Sequence, residues 1–428
     1  MFLIFSDLVD FAKNVSYHYS LLKGFYVAQG MSKHIKTFYA TTGTSGKYNN
    51  VDLINYKEID DNFINKINYI LIGRESIFKD IIENVPSFKD ILLKENRKQL
   101  IGIKSDSSVW ISSYNNISQK LKNIKMFDFI HKYIDIVYVQ NKIFKTREKH
   151  LYTKNGKCIL NKIFISPMGI PNLIPKQIEN NPYDINHSYC VNDFTKLKSG
   201  LALLPLCYTE KNRNYLQKKY QKNFNNFNKK KTIIVYIGRI KMDGGKILYL
   251  MRDIMLKLGD NYELHIFPGR FRLPDCSVDV FSPKWPINLQ ILRDSIFYRN
   301  NNVIIHFPFN GKNENKNAYY QYADIGIDFS QFRPRNIVSS PENAKLLEYC
   351  YFGLKVVAEK NINNSHLIED CENGILLENV ASVNDYVNAI KKINEIKINK
   401  EYTIKKTIEN NNWDLISLNI LNNFKNLK

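Results

Sequence analysis

The chain has 428 residues, 44% of them hydrophobic, and carries 61 Lys and Arg against 41 Asp and Glu, a formal net charge of +20. That length asks for two or three domains with sizeable cores, and no window approaches the roughly 20 consecutive apolar residues of a membrane span. The six cysteines are scattered without a C-x-x-C pair, which argues against a zinc ribbon or a disulfide scaffold and makes a reducing, cytoplasmic setting the expectation.

Met1–Phe5 is too short for a signal-peptide core and runs straight into Ser6-Asp7, so it reads as a first strand. A helical stretch containing Tyr19–Gly30 separates it from a second strand, Ile35–Tyr39. Thr41–Lys47 ends in Gly-Lys like a phosphate-binding loop. It lacks the first glycine and the Ser or Thr after the lysine, so it is set aside. Tyr69–Gly73, Gln99–Lys104 and Ile134–Val139 are three more strand-like runs, and Ile163–Pro171 follows. Strands alternating with helices predict a doubly wound domain. Asp106, in Lys104-Ser-Asp-Ser-Ser108, follows one of these strands at the edge where open α/β sheets bind ligands. That position makes it a candidate for orienting an acceptor, against the plainer role of a turn cap.

Lys211–Lys231 has many basic residues and no acidic one, interleaved with Tyr215, Leu216, Tyr220, Phe224 and Phe227. On a helix, Leu216, Tyr220, Phe224 and Phe227 share a narrow face, the pattern of a helix lying on anionic lipid. The other reading is an interdomain connector whose aromatic face packs on its own domain. The charge as a whole has two readings too. It marks a partner bearing phosphates, nucleic acid or an anionic membrane, or it reflects A/T-rich codons, which favour the Asn, Lys, Ile and Tyr that crowd the chain.

In the second half, Ile233–Ile240 is an apolar strand ending in Gly238-Arg239, and Tyr262–Gly269 and Val303–Gly311 are two more strands with glycine turns. His265 and His306 fall inside these runs and read as satisfied structural residues. Ala323–Phe329 alternates as a strand should, so Asp324 and Asp328 read as strand-end residues, and no histidine or paired-carboxylate spacing points to a metal site. Ser339–Ala358 then predicts a helix with Ser340 as N-cap, Pro341 in its first position, Gly353 as its left-handed end and Lys355–Ala358 opening a strand. The start of such a helix, Ser339–Asn343, offers backbone N–H groups and a positive dipole end to a phosphate. Glu348 lies two turns further in, where a carboxylate can accept hydrogen bonds from a sugar diol.

Lys345-Leu-Leu-Glu348-Tyr-Cys-Tyr-Phe-Gly353-Leu-Lys-Val-Val resembles the K-L-x-E-Y-x-x-x-G-x-P-V-V signature of retaining, nucleotide-sugar-dependent glycosyltransferases of the GT-B fold. Four further segments resemble that family in order: the "VGR" strand at Ile233–Ile240, the strand at Tyr262–Gly269, the Val303–Gly311 and Tyr319–Ser330 pair, and the helix–turn–strand Asn364–Leu377. Ile163–Pro171 resembles the family's strand near the end of its first domain. The resemblance implies two Rossmann-like α/β domains facing each other across a cleft, spanning 1–205 and 232–400. A basic linker, 206–231, joins them, and a C-terminal helix, 401–428, crosses back to the first domain.

It also implies that Glu348 binds the donor's ribose and that Arg239, with a lysine, grips its phosphates. Gly244 stands where the family has that lysine, so Lys241 or Lys246 has to reach in. The family's second glutamate is Ser340 here, with Glu342 nearby to substitute. The expected donor site is therefore Arg239, Lys246, Ser340, Glu342, Asn343 and Glu348, with Asp106 and Glu342 as the catalytic candidates. The implied activity is metal-independent, retaining transfer from a UDP- or GDP-sugar, with no cofactor, to a saccharide or lipid-linked acceptor. A DNA-modifying glycosyltransferase, an epimerase-type enzyme and a non-catalytic protein of the same fold remain as alternatives.

Overall fold

In a computed structural model of the chain, the residues described are 1–6, 10, 19–74, 77–94, 96–104, 132–140, 163–179, 181, 231–241, 246–273, 276–278, 297, 300, 302–305, 313–329, 344–360, 365–378 and 381–427. They divide into two compact units. The first comprises 1–174, 336–342 and 408–428, and the second 175–335 and 343–407.

The first unit opens with β1 (Phe2–Phe5), α1 (Tyr19–Ser32), β2 (Thr37–Thr41), β3 (Gly46–Tyr48) and β4 (Val51–Asn55). It continues through α2 (Asp61–Ile64), β5 (Tyr69–Ile72), α3 (Phe78–Asn84), α4 (Pro86–Leu93), β6 (Leu100–Lys104), β7 (Ile136–Val139) and β8 (Ile163–Ile165). The sheet runs β3-β4-β2-β1-β5-β6-β7-β8 and is parallel except for the antiparallel β3–β4 pair. Its central strands are apolar without alternation, as Phe2–Phe5 and Tyr69–Ile72 show, because helices cover both faces and every side chain is buried. The Gly46-Lys47 segment belongs to the β3–β4 hairpin, braced by Asn55 Nδ2 donating to Gly43 O at 2.8 Å. A phosphate loop would instead lead into a helix.

The second unit contains β9 (Thr232–Lys241), α5 (Lys246–Leu258), β10 (Tyr262–Leu273), β11 (Cys276–Val278), β12 (Val303–Ile305) and α6 (Asn313–Tyr322). After these come β13 (Ile325–Asp328), α7 (Ala344–Tyr351), β14 (Lys355–Glu359), α8 (Ser365–Cys371), β15 (Gly374–Leu377) and α9 (Val383–Glu395). The path of its sheet is β11-β10-β9-β13-β14-β15, with β12 also on β10, and only β11 is antiparallel. Counted from β9, the parallel strands lie in the order 3-2-1-4-5-6 of the doubly wound dinucleotide-binding fold. The first unit repeats that order from β1 through β4, β2, β1, β5, β6 and β7, so both units reverse strand order beside their first strand.

The first run of the first unit ends at Ile174, where the sequence reading set that boundary at 205. The chain beyond it is tied to α6, with Gln321 Oε1 accepting from Ile178 N at 2.9 Å and Tyr322 Oη donating to Ile178 O at 2.5 Å. Lys211–Lys230, the bulk of the basic segment, lies outside the described residues.

The C-terminal stretch is two helices rather than the single one expected: α10 (Lys400–Asn411) and α11 (Trp413–Asn426). The break falls at Asn412, whose side chain caps the second helix by accepting from Leu415 N at 2.8 Å. There the backbone is stitched to the segment after β8, Ile170 N donating to Asn411 O at 2.9 Å and Trp413 N to Ile170 O at 3.0 Å. Gly169 is needed at this crossing, since a Cβ on it would sit 2.7 Å from the Trp413 ring. From there α11 lies on the first unit's own sheet and helix: Phe424 packs edge-on to Phe2 at 5.1 Å, and Ser417 Oγ donates to Val27 O on α1 at 3.0 Å.

Candidate functional site

The second unit's strand order reverses between β9 and β13, and the described part of the candidate site is built from these two strands, α6 and α7. Asp328 closes β13 and is fully buried. A buried carboxylate needs a partner, and Lys345, in the first turn of α7, supplies it at 2.6 Å. The same ammonium stands 4.1 Å from the centroid of the Tyr236 ring on β9. Burial alone would push the Lys345 ammonium down, but Asp328 and Tyr236 outweigh it and hold its pKa above the ordinary lysine value. The helix is thereby locked to both strands by one cation.

Glu348 follows one turn later on α7, half-buried. Its carboxylate accepts a hydrogen bond from Tyr320 Oη on α6, and the Tyr320 ring is itself held by stacking on Phe352 at 5.1 Å and by an edge contact with Tyr349 at 5.7 Å. A carboxylate has about four acceptor positions, so a fixed Glu348 suits the recognition of vicinal hydroxyls. Beneath it, Tyr349 Oη accepts from Ile237 N at 3.2 Å and lies 3.2 Å from Val235 O. Burial pushes the Tyr349 phenol well above its ordinary pKa, so it acts as a neutral brace. Gly326 on β13 makes room for this ring, because a Cβ there would meet Tyr349 Cδ2 at 2.5 Å.

The helix ends as the sequence predicts. Gly353 takes φ +67°, with Gly353 N donating to Cys350 O at 2.9 Å and Leu354 N to Tyr349 O at 3.0 Å, the paired bonds of a Schellman turn. At the turn before β15 the left-handed residue is Glu372, φ +52°, while Asn373 is buried and donates to Leu354 O at 2.7 Å.

Of the predicted donor-site residues, the structure places the Glu348 side chain and two backbones: Arg239 near the end of β9, and Lys246 as the first residue of α5. Ser340, Glu342 and Asn343, and Asp106 in the first unit, lie outside the described residues, as does His306. The described part of the helix begins at Ala344. His265 is fully buried and hydrogen-bonded to Glu263 at 2.8 Å, a structural pairing. Sequence reasoning gave no role to Tyr320, Tyr236 or the Lys345–Asp328 pair. The Lys-x-x-Glu spacing that puts Lys345 and Glu348 on adjacent turns was visible, but their partners come from α6, β9 and β13. Among the described residues no group of three His, Cys, Asp or Glu side chains is arranged to hold a metal, and no helix is long and apolar enough to cross a membrane.

No protein-family model matches the chain, and no curated protein matches it by sequence. Solved structures resemble it over its whole length. Sucrose-phosphate synthase from Thermosynechococcus elongatus superposes with a TM-score of 0.58, covering 100% of this chain and 98% of that one at 11% identity. HepE from Anabaena, in complex with UDP and glucose, gives a TM-score of 0.57 over 100% of both chains at 10% identity. An α,α-trehalose-phosphate synthase (UDP-forming) from Burkholderia xenovorans, in complex with glucose-6-phosphate, gives 0.56 over 99% of each at 10% identity. At such identities the likeness establishes architecture: the chain has the two-domain α/β fold of the GT-B glycosyltransferases.

Proposed function

We propose that this chain is a nucleotide-sugar glycosyltransferase. Its second unit holds a UDP- or GDP-sugar, and its first offers a saccharide or lipid-linked acceptor. The observation that carries the reading is Glu348. It stands on α7 beside the strand-order reversal of a Rossmann-like unit, is oriented by Tyr320, and lies within the Lys345–Val357 motif of a chain with the GT-B fold throughout. Open α/β sheets bind their ligands at such reversals, and a ribose diol is what an oriented carboxylate there would take.

The leaving diphosphate needs positive charge and backbone N–H groups aimed at it. Arg239 and the Ser339–Asn343 segment are assigned that role, with Lys246 as a second cation. Glu342 is assigned to the donor sugar and Asp106 to the acceptor hydroxyl. Transfer proceeds with retention at the anomeric carbon and without an essential metal, an assignment resting on the motif resemblance; turnover in the presence of EDTA and product stereochemistry test it. Glu348→Ala and Arg239→Ala should each lower donor-dependent transfer at least about tenfold, equivalent to about 1.4 kcal/mol of transition-state stabilisation, with unchanged circular dichroism. Wild-type turnover in both purified variants would remove the assignment.

A further inference from the structure

Two cysteines, distant in the sequence, meet beneath the helix that carries Glu348. Cys350 lies in the last turn of α7 and Cys371 is the final residue of α8. Both are unlinked, and their thiols hydrogen-bond to each other. Their surroundings hold the sulfurs in place. Asn373 Nδ2 donates to Cys350 Sγ at 3.5 Å, and Cys350 Sγ lies 3.8 Å from Leu367 O on α8. On the far side, Cys371 Sγ stands 3.2 Å from Thr407 Oγ1 on α10. The left-handed turn at Glu372, φ +52°, folds Asn373 back toward Cys350.

The two thiols are not equivalent. Cys350 is fully sealed, whereas Cys371 keeps 3% of its surface in solvent. Their shared hydrogen bond, with burial, pushes the Cys350 thiol well above its ordinary pKa; the same bond and Thr407 hold Cys371 below its own. The sulfur that ionises more readily is thus also the one that solvent reaches, and the sealed sulfur lies against it. That is the arrangement of an attacking cysteine with a resolving partner. A buried pair serving only as packing would need no such asymmetry.

We propose that Cys350 and Cys371 form a reversible redox site, oxidised to a disulfide by hydrogen peroxide. The Cys371 thiolate attacks one peroxide oxygen, the O–O bond breaks, and Cys371 becomes a sulfenic acid as hydroxide leaves. Cys350 then attacks the sulfenic sulfur, the S–S bond forms, and the displaced hydroxyl leaves as water. Two electrons pass from the sulfurs to the peroxide, and both thiol protons end in the two waters. A dithiol reductant reverses the reaction, so in a reducing compartment the disulfide is transient. A covalent bond between the sulfurs is shorter than a hydrogen bond between them, so closing it draws the end of α7 toward α8. Glu348 lies two residues before Cys350 and is held by Tyr320 from α6, and this movement shifts its carboxylate relative to that tyrosine. On the glycosyltransferase reading proposed above, the oxidised chain therefore holds a donor nucleotide more weakly.

Peroxide treatment of the full chain, alkylation of the remaining thiols and peptide mapping test this. The peptide carrying Cys350 should be joined to the one carrying Cys371, lighter by two hydrogens than the separate pair, and dithiothreitol should restore both thiols. Cys350→Ala should leave Cys371 as a sulfenic acid that dimedone traps, whereas Cys371→Ala should leave Cys350 unlabelled. In the wild-type chain, affinity for the tighter of UDP and GDP should fall at least threefold on oxidation and recover on reduction. If neither nucleotide binds either redox state while the disulfide forms and reverses, the donor reading falls and the redox site stands. Absence of the Cys350–Cys371 linkage from folded protein, or equal linkage to the other four cysteines, would overturn the proposal. A nucleotide bound equally well in both states would overturn its connection to Glu348.

Discussion

Tyr349 shows how much of the second unit rests on single polar atoms. Its hydroxyl is the partner recorded for Ile237 N, at 3.2 Å in the buried centre of the sheet. Tyr349→Phe preserves the ring and removes that partner, so a buried N–H is stranded at a cost of about 1–3 kcal/mol. Urea unfolding of the variant should show a loss in that range; an unchanged midpoint would mean that the N–H finds another acceptor. Glu263 makes a second case. Burial alone would raise its pKa, but the hydrogen bond from His265 and the charges of His265 and Lys231 together hold it below its ordinary 4.5. A carboxyl whose folded pKa is depressed stabilises the fold above its unfolded pKa, and that contribution disappears as pH falls through the lower folded value. Thermal scans from about pH 6 downward should show wild type more stable than Glu263→Gln, with the gap closing below pH 4.5. A gap that stays constant with pH would contradict the ion-pair account.

Among the elements, the last helix decides whether the first unit stands. Ile416, Ile420, Leu421 and Phe424 of α11 are all buried, against Phe2, Tyr69 and Tyr138 of the sheet and against α1. Each such side chain contributes about 1.5–3 kcal/mol by burial, and together they match the whole net stability of a domain, about 5–15 kcal/mol. A chain stopped at Asn411 should therefore lose the first unit's cooperative transition in calorimetry and keep the second's. Two intact transitions would show the helix to be dispensable. The last helix was legible because the family resemblance implies a closing C-terminal helix, and the continuous apolar runs of β1, β5 and β9 were legible because buried parallel strands do not alternate. The break at Asn412 was hidden, since it depends on a bridge to Ile170, far away in sequence. The place of Glu348 on a helix was readable through its motif, and it lies on α7. Tyr320 was not, because nothing local distinguishes a tyrosine that orients a carboxylate from one that fills a core.

At the scale of the whole molecule, two units share one strand order. In the second, a carboxylate is fixed beside the reversal of that order by a tyrosine. The central claim is that the second unit takes a nucleotide-sugar through Glu348, and it is tested most directly by thermal unfolding of wild type and Glu348→Ala with a panel of UDP- and GDP-sugars. One donor, at a hundred times its dissociation constant, should stabilise wild type by about 2.7 kcal/mol, and Glu348→Ala should show a much smaller shift at the same concentration. No stabilisation of wild type by any nucleotide-sugar, or an equal shift in the variant, would contradict the account.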